Sequence, residues 1–223
     1  MTSMFAHIRS RREQLRRSID VKGAFEQWEE SCVPSYLHGN PLAAYVSWRR
    51  LFVAASMASE IKPKPHRVLD FGSSVGELSH ILRYEGDYEF VELDDQAAAY
   101  LQSNNERARR VTLNDAPKGA YDSIFAIDSL EHNEDYADLL GELAKRMSHD
   151  GILVLSGPTE NWLYKLGRKI AGFEGHYHHT TIFDIEREAQ KTLQMVTSRT
   201  IPFGIPLFRI TVWKHALGFD ATE

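Results

Sequence analysis

The chain has 223 residues, 43% hydrophobic and 26% charged, with a formal net charge of −5. That length supplies one domain with a substantial core but not two full domains, and the composition excludes a disordered chain. One cysteine, Cys32, excludes an internal disulfide framework and a cysteine-rich zinc site, and fits a reducing, cytoplasmic setting. No uncharged apolar run approaches the roughly 20 residues needed to span a bilayer. The arginine-rich start lacks the apolar stretch of a secretory signal. Charge is uneven, because residues 1–22 hold six Lys or Arg against Glu13 and Asp20, which leaves −9 on the remainder. An acidic body argues against nucleic-acid binding, and no nucleic-acid partner is expected.

In chain order, Phe5, Ile8, Leu15 and Ile19 set a helical stripe, interrupted by Arg12, so residues 3–19 read as a basic amphipathic helix. Residues 24–31 read as a second short helix, and 32–40 as a turn region holding Pro34, Gly39 and Asn40. Pro41 then opens a longer helix to about Glu60. The Lys62-Pro63-Lys64-Pro65 stretch separates a helical region, 1–62, from the main domain, 63–223. From His66 the pattern alternates. Strands are expected at 66–71, 88–93, 110–113, 121–127 and 152–155, with helices at 77–83, 96–104 and 134–147. This spacing predicts parallel βαβ units with helices on both sheet faces. Two late strands, 193–201 and 208–214, are joined so closely that they should be antiparallel.

The chemistry concentrates in Val68-Leu69-Asp70-Phe71-Gly72-Ser73-Ser74-Val75-Gly76-Glu77-Leu78-Ser79. A buried strand running into small residues lets backbone N–H groups approach a ligand closely. The dinucleotide fingerprint would need glycine at 74 and 77, where Ser74 and Glu77 stand. Asp70, at the strand end, suits a cationic amino acid moiety better than a pyrophosphate.

Val68–Ser79 resembles the first motif of class I S-adenosylmethionine-dependent methyltransferases of the small-molecule-acting type, with Ser74 replacing the middle glycine. The resemblance implies a Rossmann-like α/β fold. Its doubly wound, seven-stranded sheet would be mostly parallel with an antiparallel last strand. It implies S-adenosylmethionine as cofactor, met by Asp70, Gly72, Ser73, Ser74 and Gly76. Glu92, in Phe90-Val91-Glu92-Leu93-Asp94, would hold the ribose hydroxyls, with Leu93 against the adenine. Asp115 would receive the adenine amino group beside Ala116, and Asp128 would complete the cofactor set. Tyr121–His132 and His149–Pro158 are similar to strands four and five of that superfamily, so the specific likeness spans 66–158.

Asp128-x-x-Glu131-His132 is also similar to the metal cluster of certain O-methyltransferases, which add a later histidine. Asp128, Glu131, His132 and His179 form that alternative; a metal-free site is the reading adopted. A neutral hydroxyl acceptor benefits from a base near the working pH, which histidine supplies. His132 is the first candidate and His176, His178 or His179 the second.

The acceptor pocket is expected from the N-terminal helices and a 159–183 insertion. Their aromatic residues are Trp28, Tyr36, Trp48, Trp162, Tyr164, Phe173 and Tyr177. Arg49-Arg50 and Arg168-Lys169 are candidate clamps for an anionic acceptor. The expected function is methyl transfer to a small molecule, lipid- or sugar-linked acceptors included, at oxygen or nitrogen. A macromolecular acceptor or non-catalytic cofactor binding are the alternatives. The basic arm is expected to dock as a lid over the acceptor pocket, with at most transient membrane contact. Its removal would then spare cofactor binding.

Overall fold

The computed structural model describes residues 3–19, 32–159, 180–202 and 206–216. The expected helix at 24–31, the bulk of the insertion, and Arg168-Lys169 lie outside these residues.

Three helices precede the sheet: α1 (Met4–Ser18), α2 (Val33–Leu37) and α3 (Pro41–Ile61). Ser3 caps α1 by accepting from the Ala6 N–H. Asn40 caps α3 by accepting from the Leu42 N–H at 2.9 Å, and Pro41 sits in the first turn, where its missing N–H costs nothing. The strands are β1 (Arg67–Phe71), β2 (Asp87–Val91), β3 (Ala108–Arg110), β4 (Tyr121–Ile127), β5 (Met147–Pro158), β6 (Leu193–Ile201) and β7 (Phe208–His215). Helix α4 (Asp95–Asn104) links β2 to β3, and α5 (Tyr136–Arg146) links β4 to β5. Helix α6 (Ile182–Ala189) precedes β6 and starts with a Thr181–Asp184 capping box.

One seven-stranded sheet runs β3-β2-β1-β4-β5-β7-β6. The first five strands are parallel, and β7 lies antiparallel between β5 and β6. The central strands are apolar on both faces because both are covered. One core layer joins Val68, Phe90 and Phe125 to α1, α3 and α4; the other joins Leu69, Ile124 and Leu153 to α5 and α6. Among the described residues no helix is long and apolar enough to cross a membrane.

Three expectations change, the first being the strand expected at 110–113, which instead runs Ala108–Arg110. The helix over 77–83 shortens to a 3-10 turn, Glu77–His80. Residues 32–40 hold a helix, α2, because Pro34 stands in its first turn rather than breaking it.

The placement of α3 matters for the site. Lys62, just beyond its C-terminus, pairs with Asp150 near the start of β5 at 2.5 Å, while Arg50 pairs with Asp128 just past the end of β4. From Arg50 to Lys62 a helix rises about 18 Å, roughly the length of a strand. The first two turns of α3 therefore stand above the carboxyl edge of the sheet.

Candidate functional site

The carboxyl ends of β1, β2 and β4 converge on the loop 72–76. Gly72 and Gly76 adopt φ of +71° and +76°, in the left-handed region. A Cβ on Gly72 would overlap the Ser129 side chain, and one on Gly76 would overlap Leu101. Both positions therefore require glycine for conformation and for space. The Gly72 N–H donates to the Val91 carbonyl at 2.9 Å, which ties the loop to the end of β2.

Ser74 stands at φ +49°, also left-handed. Its hydroxyl is buried without a hydrogen-bond partner, as are those of Ser73 and Ser129. Ser74→Gly is expected to stabilise the fold by about 1 kcal/mol, since it relieves the left-handed Cβ penalty and removes an unsatisfied hydroxyl. Urea denaturation with an unchanged or lowered midpoint would contradict this.

Glu92 follows β2 directly. Its carboxylate accepts from the Ser74 N–H at 2.6 Å and from the Asp94 N–H at 3.0 Å. Each oxygen keeps a further lone pair for a ligand hydroxyl. Leu93 is 89% exposed, a large apolar side chain standing in solvent beside that carboxylate. Asp115 is exposed and accepts from the Thr112 hydroxyl at 2.6 Å, whereas Ala116 is buried in the α5-side core. Asp70 is buried and accepts from the Tyr88 hydroxyl. Burial pushes its carboxyl up to about 7, with Tyr88 opposing the rise and Glu92 adding to it.

Beyond β4, Asp128 is held at φ +50°. Arg50 of α3 pairs with one of its oxygens, and the Ser156 hydroxyl donates to the other at 3.0 Å. The guanidinium of Arg50 also lies over the Phe208 ring at 4.2 Å. Asp128 thus already has a cationic partner. Among the described residues no group of three or more His, Cys, Asp or Glu is arranged to hold a metal ion. Glu131 is buried and His132 exposed on the 3-10 turn Leu130–His132. His176, His178 and His179 lie outside the described residues, as do Trp28, Trp162, Tyr164, Phe173 and Tyr177.

Tyr36 and Trp48 are core residues, with ring centroids 5.1 Å apart, rather than open pocket walls. Arg50 is likewise no free anion clamp. Its buried pair with Asp128 joins α3 to the end of β4.

A contact between residues distant in sequence braces the loop from outside. Arg11 of α1 donates from Nε and a terminal nitrogen to both oxygens of Glu77, each at 2.8 Å, and both residues are buried. Glu77 is the residue after Gly76, so α1 is tied directly to the end of the loop 72–76. Ile8, Arg11 and Leu15 share one helical stripe, so the spacing itself marks Arg11 as buried.

A family model described as a methyltransferase domain matches residues 44–203. No curated protein matches the sequence. Among solved structures, the fold is similar to the N-methyltransferase NodS of Bradyrhizobium japonicum WM9 in complex with S-adenosyl-L-homocysteine. The TM-score is 0.64 at 12% identity, covering 82% of this chain and 91% of that one. The magnesium protoporphyrin IX methyltransferase ChlM of Synechocystis PCC 6803 gives 0.62 at 17%, covering 92% and 99%. The 1,6-didemethyltoxoflavin-N1-methyltransferase of Burkholderia thailandensis gives 0.61 at 17%, covering 87% and 89%. At such identities the likeness is one of fold.

Proposed function

The chain belongs to the class I S-adenosylmethionine-dependent methyltransferases, and from that premise we propose that it methylates a small-molecule acceptor at oxygen or nitrogen. The observation that carries the reading is the loop 72–76. Two left-handed glycines turn it tightly at the end of β1, Glu92 closes it, and Ser73, Ser74 and Ser129 bring unpartnered buried hydroxyls to it. Buried polar groups of this kind want partners, and a polar ligand supplies them. The acceptor class is supported by two of the fold neighbours, which are named for magnesium protoporphyrin IX and 1,6-didemethyltoxoflavin.

S-adenosylmethionine, when bound, supplies a methyl group already activated by its sulfonium. The chain's work is then to position two partners and exclude water. Gly72–Gly76 admit the cofactor close to the backbone, and Asp70 supplies negative charge beneath it. Glu92 accepts from the ribose hydroxyls, Leu93 covers the adenine and Asp115 receives its amino group. Asp128, fixed by Arg50 and Ser156, shapes the floor at the end of β4. For a hydroxyl acceptor, an imidazole nitrogen of His132 takes the proton released on transfer. An amine acceptor needs less help.

Glu92→Ala tests the cofactor half of this assignment. The variant is expected to bind S-adenosylhomocysteine more weakly by about 1–3 kcal/mol, measured by calorimetry. Wild-type affinity with an intact fold would overturn the placement.

A further inference from the structure

Helix α1 carries two stripes about a quarter-turn apart. Ile8, Arg11 and Leu15 are buried against the domain, and Phe5, Arg9, Arg12 and Arg16 run along a second stripe. That second stripe forms one wall of an open groove whose other wall is the start of α3, with Leu42 and Tyr45. Arg9 and Arg16 are exposed, and Arg12 is partly buried with one nitrogen donating to the His38 carbonyl at 2.8 Å. Glu13 also borders the groove, in an exposed pair with Arg17 at 2.5 Å, and leaves the three arginines in excess there. Phe5 is 65% and Leu42 69% exposed, and Phe5 stacks on Tyr45 with ring centroids 5.6 Å apart.

We propose that this α1–α3 edge docks the protein on an anionic lipid bilayer. Three arginines match acidic headgroups, and the two exposed apolar side chains among them match the headgroup–acyl boundary. Charge favours a bilayer over a nucleic acid. The rest of the chain is acidic, so a long polyanion that crosses the edge meets repulsion, whereas a planar surface touches the edge alone. The edge stands above the carboxyl ends of the strands, because Arg50, two turns further along α3, is already level with Asp128. A docked molecule therefore turns its candidate site toward the lipid. Contact through so few cations is transient and sensitive to salt.

The test is co-sedimentation of the full chain with phosphatidylcholine vesicles carrying increasing phosphatidylglycerol. Binding is expected to rise with phosphatidylglycerol, to be negligible on phosphatidylcholine alone, and to fall as salt rises. Arg9→Gln with Arg16→Gln should weaken it about 25-fold, roughly fivefold per cation, and Phe5→Ser with Leu42→Ser should weaken it further. Circular dichroism checks that the variants fold. Indifference to phosphatidylglycerol, or undiminished binding by the double arginine variant, would overturn the proposal. So would tighter retention of single-stranded RNA than of vesicles, or a doubled mass in solution that the same arginine variant abolishes. Neither cofactor nor acceptor enters the assay, so its outcome is independent of the methyl-transfer reading.

Discussion

Arg11→Ala is expected to cost about 3–5 kcal/mol of stability and to take cofactor affinity down with it. The Glu77 side chain is fully buried and that of Arg11 only 9% exposed, so truncation leaves a carboxylate in the interior without its two charge-assisted hydrogen bonds. Burial already raises the Glu77 pKa, and Arg11 is what opposes that rise. Without the arginine, the folded-state pKa moves further above the unfolded value. The missing stability is then larger at pH 8 than at pH 5, because a raised carboxyl favours folding only while protonated. Glu77 adjoins Gly76, so its displacement disturbs the loop 72–76 on which the proposed cofactor placement rests. Urea denaturation at both pH values, with calorimetric titration of S-adenosylhomocysteine, reads both effects. Arg11→Met combined with Glu77→Leu should recover most of the stability, since an apolar pair of similar volume removes the desolvation cost altogether. If Arg11→Ala is as stable as the parent, or the double variant is no better than the single one, α1 is not the brace described. Removing residues 1–19 should likewise impair cofactor binding, not acceptor use alone.

Local chemistry makes much of this fold legible. The run Val68–Phe71 followed by Gly72 announces a buried strand entering a tight turn. Asn40-Pro41 announces a helix start, and the short 202–207 connection forces β6 and β7 antiparallel. Glu92 can be placed at the loop because parallel β1 and β2 end side by side, with Phe71 opposite Val91. The failures have a common physical origin in tertiary partners. Helix α2 is hidden because Pro34 breaks a helix interior yet fits a first turn, and only packing of Val33, Tyr36 and Leu37 in the core decides between them. A helix over 77–83 is overextended because Leu78, Ile81 and Leu82 keep helical spacing. The chain instead stops after one 3-10 turn and reaches Asp87, whose N–H donates to the His66 carbonyl. Arg50 and Asp128 lie 78 positions apart, and Arg11 and Glu77 lie 66 apart. No local periodicity announces a pairing over such separations, although a charge on an apolar stripe, as at Arg11, signals that one is needed.

Asp70→Asn is expected to stabilise the ligand-free protein at pH 8 and to leave it nearly unchanged at pH 4. Asp70 lies in β1 with its carboxyl buried beside the Tyr88 hydroxyl, and burial lifts its pKa from 3.8 to about 7. Folding therefore favours the protonated acid. Its contribution is complete below the unfolded value near 4 and declines as pH rises. Above about 7 the ionised carboxylate costs on the order of 4 kcal/mol. Asparagine has the same shape, carries no charge and still offers an oxygen to Tyr88, so it avoids that cost. Binding should show the opposite trend. A cationic ligand over Asp70 favours the carboxylate, so the affinity for S-adenosylmethionine should rise with pH through the region of 7 as fewer protons must be released. S-adenosylhomocysteine keeps the amino acid ammonium and should show a rise as well, shallower only by what the more distant sulfonium adds in the donor. Asp70→Asn should flatten both profiles and weaken the methyl donor and its product alike. Calorimetric titrations of the two ligands between pH 5.5 and 8.5, roughly 1.5 units either side of that value, separate the possibilities. A steep pH dependence that survives in the variant would mean that another group titrates, and that Asp70 is a packing residue sealed beneath the loop.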